Sequence, residues 1–271
     1  MTSGAKPPRV RRFSVRGRDL RIREAPGVHP VDAVARRAIG RLPVRPGDSV
    51  LDVGCGTGIY GLAAALLDAP RVVLTDLDPR AVRCARANAR DNRVRGVELL
   101  VGDLFRPVQG RKFDLIIANL PQTPGPRPFT LAKWGGPDGT LHLCRLIREA
   151  PRHLRAGGRL FFLHHELANR PRILKLLERR FQVRTALRVR REFTPAEYEG
   201  YLPGLTAYLE RMRRRGASRF HGRDALPAGS GRSPPRRDHR TRRDRGGRSP
   251  KAPGGRRWFV LRILVARLRS G

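Results

Sequence analysis

Five short apolar runs punctuate the first two thirds of the chain: Val50–Val53, Arg71–Thr75, Val97–Val101, Phe113–Ala118 and Arg159–Leu163. Each is nearly continuous rather than alternating. Helical stretches lie between them: Ile59 to Leu67, the segment opening at Asp78-Pro79 and running through Asn88 or Asn92, and about Thr140–Leu154. Unbroken apolar strands separated by helices predict a parallel sheet buried on both faces. A further helix over roughly Leu167–Arg179 and a sixth strand over Phe181–Val189 complete the series.

The flanks follow other patterns. Arg12–Arg16 and Asp19–Arg23 alternate in polarity around Gly17-Arg18, which predicts a β-hairpin with one face kept wet by arginine. A short helix follows over Asp32–Arg41, with Asp32 as its N-terminal acid. Thr194-Pro195-Ala196-Glu197 is a capping box with proline at the first turn, and a second helical piece covers Leu205–Arg214. Residues 216–256 lack apolar periodicity and are dominated by Arg, Ser, Gly and Pro, so they are expected to be disordered. Trp258–Ala266 is again strand-like. The expected organisation is a disordered N-terminus (1–10), a hairpin and helix (11–48), a core (49–215), a disordered basic insertion (216–256) and a final core strand (257–271).

Charge changes the picture of possible partners. The chain has 271 residues, 58 Lys and Arg against 23 Asp and Glu, and a net charge of +35. A polyanionic partner such as RNA accounts for that imbalance, as does a heavily solvated surface with no specific partner. Contact with nucleic acid through 216–256 is the first form of this expectation. The three cysteines, Cys55, Cys84 and Cys144, are too widely spaced for a zinc pattern, and their odd number suits a reducing compartment. No run of 18 apolar residues exists, so no membrane helix is expected. Arg11-Arg12 has no apolar segment after it, and the chain reads as cytoplasmic.

The chemistry centres on Val50–Gly58, where a strand ends in a glycine-rich turn and passes into a helix. Glycines allow positive φ and let a ligand approach the backbone. Gly56-Thr57-Gly58-Ile59-Tyr60-Gly61 fits the G-x-G-x-x-G pattern of dinucleotide sites. Asp52, two residues before Gly54, argues against it, because a carboxylate there repels a pyrophosphate. The same carboxylate favours the ammonium and sulfonium of S-adenosylmethionine. Polar residues also end the other strands: Asp76, Asp103 and Asn119. In an open α/β sheet these ends converge on one site. Asp76 has the spacing of a ribose-binding acid, Asp103 can accept from an adenine amino group, and Leu104 can pack on the ring. Asp78 reads as the cap of the next helix.

An acid followed by Gly54-x-Gly56-x-Gly58 resembles motif I of the class I methyltransferases. That resemblance implies an α/β fold with a doubly wound, seven-stranded, mostly parallel sheet whose last strand, here 257–268, is antiparallel and inserted beside the fifth. It also implies S-adenosylmethionine as cofactor. Asn119-Leu120-Pro121-Gln122 resembles the Asn-Pro-Pro-Tyr segment of the N-methyltransferases that act on protein glutamine and on amines of RNA and DNA. There the Asn side chain and the next carbonyl hold a planar –NH2, aiming its lone pair at the methyl carbon. By this resemblance Asn119, Pro121 and Gln122 are catalytic. Leu120 and Gln122 depart from the pattern, and the missing aromatic removes a stacking surface for a flipped base. Gln122 can instead hydrogen-bond an amide or carboxylate. Trp134-Gly135-Gly136-Pro137-Asp138-Gly139 resembles the Gly-Gly-x-Asp-Gly segment of the glutamine methyltransferases. The resemblance covers about residues 12–190 plus the last strand.

The expected activity is N-methylation of a macromolecule, a translation-related protein or RNA, with a glutamine-type amide first and an RNA base amine next. A small-molecule acceptor ranks third. A nucleic-acid-binding protein on a degenerate methyltransferase scaffold is the alternative from another class. His164-His165-Glu166 reads as a site rim or helix cap more readily than as a metal site. His29 reads as a turn residue that could touch substrate.

Overall fold

The computed structural model describes residues 9–221 and 257–269. β1 (Val10–Val15) and β2 (Arg18–Arg23) form the expected antiparallel hairpin. Arg16 and Gly17 make its turn at φ of 46° and 84°, the geometry whose twist matches the flanking strands. Phe13, Val15, Leu20 and Ile22 are buried, and the arginines between them face outward. The free edge of β2 is tied down by two asparagines: Asn92 Oδ1 accepts from the Arg21 amide at 2.7 Å and Asn88 Oδ1 from the Arg23 amide at 2.8 Å.

The sheet contains β3 (Ser49–Val53), β4 (Arg71–Asp76), β5 (Val97–Val101), β6 (Phe113–Ala118), β7 (Leu154–His165), β8 (Phe181–Phe193) and β9 (Arg257–Leu268). Its order is β5-β4-β3-β6-β7-β9-β8. The first five strands in that order are parallel, and β9 runs antiparallel to both β7 and β8. The chain order reverses between β3 and β6, which creates the crevice where ligands of such sheets bind. On one face the hairpin, α1 (Ala33–Ile39), α2 (Ile59–Leu66) and part of α3 (Pro79–Asp91) enclose a core that includes Val50, Leu62, Leu74 and Ile117. On the other face α4 (Leu141–His153) and α5 (Arg170–Glu178) cover Leu51, Ile116, Leu160 and Phe162. A third cluster joins α6 (Pro195–Tyr201) and α7 (Leu205–Arg214) to Phe193 and Phe259.

The departures from the sequence expectation have local causes. β7 begins at Leu154 rather than Arg159 because Leu154 still pairs with Phe113 across a register shift. β8 extends to Phe193 because β9 supplies hydrogen-bond partners along its whole length. α5 starts at Arg170 because the Asn169 side chain caps it, accepting from the Arg172 amide. The start of the expected basic insertion is corrected. Residues 216–221 belong to the fold, with Ser218 and Phe220 buried, the Arg219 amide donating to the Glu166 carbonyl at 2.7 Å, and His221 paired with Trp258. The remainder of that stretch, 222–256, lies outside the described residues, as do residues 1–8 of the expected disordered N-terminus. Among the described residues no helix is long and apolar enough to cross a membrane.

Candidate active site

The glycine turn is held by its neighbour strand. The amides of Gly54 and Cys55 both donate to the Thr75 carbonyl, at 2.8 and 3.0 Å. Gly58 stands at the N-terminus of α2 with φ 82° and has no side chain to cap it. Asp52 performs that task from beneath, one carboxylate oxygen accepting from the Gly61 amide at 2.8 Å. Negative charge is favourable there because the helix N-terminus presents unpaired amides. Asp52 is completely buried, and burial pushes its pKa up to about 7. Asp52 lies behind the turn, lines none of the three cavities described below, and acts through the helix start and through its buried charge. Gly58 is needed for packing as well as for φ, since a Cβ there would sit 2.9 Å from the Ala85 Cβ.

Seven of the predicted residues line one cavity of about 140 Å³: Gly54, Gly56, Asp76, Asp103, Leu104, Asn119 and Pro121. Asp76 joins two turns, accepting from the Gly56 amide at 2.8 Å and from the Asp78 amide at 2.9 Å. Burial raises its pKa, and the two amides act against that rise. A carboxylate has about four acceptor positions, so positions remain for ligand hydroxyls. Asp103 is held by Arg145 of α4, through two contacts of 2.7 and 3.2 Å. Asp78 caps α3, as its sequence position implied. His142 also lines this cavity, and burial lowers its pKa.

Two smaller cavities of about 70 and 50 Å³ adjoin the first. Asn119 and His29 border all three. Among the described residues no side-chain hydrogen bond engages the Asn119 carboxamide, so its acceptor and donors are open to a ligand. Gln122 is different. Its Nε2 donates to the carbonyls of Leu163 at 2.8 Å and Leu120 at 3.2 Å, and its Oε1 accepts from the His165 amide at 3.2 Å. Both of its N–H donors are thus committed to backbone, and Gln122 frames the second cavity rather than offering a free donor to it. The Leu120 carbonyl keeps one lone pair beyond the long bond from Gln122.

The Pro- and Gly-rich loop that follows folds back on this segment. The Thr123 amide donates to the Lys133 carbonyl, and the Gly135 amide to the Thr123 carbonyl, both at 2.9 Å. A Cβ on Gly135 would sit 2.6 Å from the Gln122 Cα, and one on Gly139 would strike the Gln122 carbonyl. These two glycines let the loop press on the backbone beside Asn119. Asp138 between them accepts from the Thr140 amide and hydroxyl at 3.1 and 2.6 Å, and it pairs with Arg172 at 2.9 Å.

Burial keeps three histidines near the cavities uncharged. Burial pushes His29 down to about 4 and His165 down to about 3. His164 is fully buried, its pKa is also depressed, and neither ring nitrogen has a partner among the described residues. Glu166 is committed to the Val260 amide and to Arg262. Among the described residues no group of His, Cys, Asp and Glu is arranged to hold a metal ion. Sequence reasoning missed Arg145 as the partner of Asp103, and Asp32 and Lys133 as cavity-lining residues. Lys133 carried a signal, being one of five lysines in a chain whose cations are otherwise arginine.

Comparison with known proteins places this geometry. A family model described as methyltransferase small domain matches residues 19–194. A Methanocaldococcus jannaschii protein, provisionally named a protein N5-glutamine methyltransferase, is 34% identical over 151 residues, covering 53% of this chain and 76% of that one. A Pelotomaculum thermopropionicum ribosomal protein L11 methyltransferase is 44% identical over 95 residues, which is 35% of this chain and only 30% of that protein. Among solved structures, the Thermus thermophilus 16S rRNA N2 G1207 methyltransferase, in complex with AdoMet and guanosine, superposes with TM-score 0.53 at 20% identity, covering 68% of this chain and 48% of that one. At that identity the likeness concerns the fold.

Proposed function

Because the chain belongs to the methyltransferase small domain family, we propose that it transfers the methyl group of S-adenosylmethionine to a planar nitrogen of a macromolecule, a glutamine-type side-chain amide first. The observation that carries this reading is the position of Asn119. Its unengaged carboxamide stands where the large cavity meets the two smaller ones. The large cavity takes the adenosyl part, with Asp76 toward the ribose hydroxyls and Asp103 and Leu104 toward the adenine. The acceptor nitrogen enters from the second cavity. Asn119 Oδ1 and the Leu120 carbonyl accept its two N–H groups, which turns its lone pair toward the methyl carbon. Sulfonium methyl transfer is thermodynamically easy, so alignment and exclusion of water supply most of the rate.

The relative provisionally named a glutamine methyltransferase supports the amide as first acceptor, since three quarters of its length is matched. The net charge of +35 favours a second reading, an amine of an RNA base. Two measurements separate these from other chemistries. Isothermal titration with S-adenosylmethionine, S-adenosylhomocysteine and NADH is expected to show micromolar binding of the first two alone. Methyl-labelled cofactor incubated with ribosomal and translation-factor fractions is expected to leave acid-stable label in protein. Label in RNA instead would install the second reading, and NADH binding would overturn the cofactor.

A further inference from the structure

The second cavity holds a cation that methyl transfer to an amide does not require. Lys133 lines it beside Asn119, Pro121 and Gln122. It is half-buried, and burial and the nearby Arg191 lower its pKa against the opposing attraction of Glu197 and Asp32. Arg191 lines the same cavity but is already paired with Glu197 at 2.8 Å. Lys133 has no such partner: among the described residues no carboxylate forms an ion pair with it. Its ammonium lies 5.1 Å from the centroid of the Tyr201 ring, a contact that leaves its N–H donors free. The backbone fixes its place, because the Thr123 amide donates to the Lys133 carbonyl only four residues after Asn119. Asp32 also borders the cavity, and its carboxylate accepts from the Ala35 amide at the N-terminus of α1, which offsets part of its charge. The two histidines there, His29 and His165, are uncharged at neutral pH and add no competing cation. Glu197 and Asp32 attract the ammonium from a distance without pairing with it, and a ligand that brings an anion into contact recovers more of its desolvation cost.

We infer that Lys133 is an anion-binding residue of the acceptor site, and that the methyl acceptor carries a carboxylate close to the nitrogen that Asn119 holds. This rests on the N-methyl transfer reading and narrows it. A carboxylate, the more compact anion, is the form we assign, and a phosphodiester is the alternative that the test separates from it. The ammonium is a compact point donor that needs no planar bidentate partner.

The test uses the full chain saturated with S-adenosylhomocysteine, its lysines converted to ¹³C-dimethyl-lysine, which keeps the charge. The Lys133 signal is identified by its loss in Lys133→Arg. Acetate, and separately dimethyl phosphate, is then titrated by NMR. Acetate is expected to shift the Lys133 signal saturably, with a midpoint at least about tenfold lower than for the exposed Lys112 and Lys175. Lys133→Met is expected to leave S-adenosylhomocysteine affinity within twofold. Signals of all three lysines moving together overturn the anion site, and tighter binding of dimethyl phosphate than of acetate overturns the carboxylate. If Lys133 responds to acetate but S-adenosylhomocysteine fails to bind, the anion site stands and the methyl-transfer reading falls.

Discussion

The side-chain nitrogen of Gln122 donates to the main-chain carbonyl of Leu163 at 2.8 Å. The bond ties the segment after β6 to the end of β7, the next strand of the sheet. Gln122→Leu strands the Leu163 carbonyl and the His165 amide without partners, at about 1–3 kcal/mol. The expected result is a lower denaturation midpoint by urea titration, with S-adenosylhomocysteine affinity nearly unchanged because Gln122 lines only the second cavity.

Asp52 should make cofactor binding pH-dependent. Its folded-state pKa of about 7 lies above the ordinary 3.8. The stability linked to it is therefore complete below about pH 3.8 and is lost as pH rises through 7. A sulfonium bound nearby favours the ionised form, whereas the neutral thioether of the product does not. The affinity of S-adenosylmethionine relative to S-adenosylhomocysteine is expected to rise about fivefold between pH 5.5 and 8.5, and to flatten in Asp52→Asn. Isothermal titration of both ligands at the two pH values reads this directly.

Gly58→Ala combines an unfavourable φ of 82° with a Cβ placed 2.9 Å from Ala85. The α2 and α3 helices must then separate, at about 1–3 kcal/mol. Thermal unfolding should show a lower Tm, partly restored by Ala85→Gly, which removes the clash but not the backbone strain.

Asp103→Ala tests the adenine side. The carboxylate is partly exposed and paired with Arg145, so its loss should cost little stability. Affinity for S-adenosylhomocysteine should fall about tenfold, as expected when a ligand hydrogen bond to a charged group is removed. An unchanged affinity would place the adenine elsewhere.

Much of this architecture is legible in the sequence because its signals are local. Unbroken apolar runs marked the parallel strands, and the polar residues Asp76, Asp103 and Asn119 at strand ends marked the crevice. Three features are not local. The direction in which Asp52 points depends on α2 turning back over it, which makes this motif residue a buried helix cap. The commitment of Gln122 depends on Leu163, a residue 41 positions away. Lys133 enters the site only because Gly135 and Gly139 let its loop lie against the Gln122 backbone. The docking of residues 216–221, with His221 paired to Trp258 of β9, was hidden because their composition continues that of the basic stretch.

That stretch gives a separable prediction. His221 and Trp258 exchange two backbone hydrogen bonds, of 2.6 and 2.8 Å, so the two ends of segment 222–256 are already together. Replacing it with a short Gly-Ser linker should preserve the fold, because closing a loop costs little extra when its ends are adjacent. Binding to polyuridylate should weaken, and its dependence on salt should become shallower as phosphate contacts are lost. Unaltered binding and slope would assign any RNA affinity to the folded part.

The most direct test of the central claim is Asn119→Ala, followed by two readings on the same preparation: S-adenosylhomocysteine affinity by titration, and transfer of labelled methyl to the acceptor fraction. In the proposed reading Asn119 borders the cofactor cavity but holds the acceptor, so affinity should stay within about threefold while transfer falls about a hundredfold or more. Undiminished transfer would contradict the account, because no other described side chain occupies the junction with its carboxamide free.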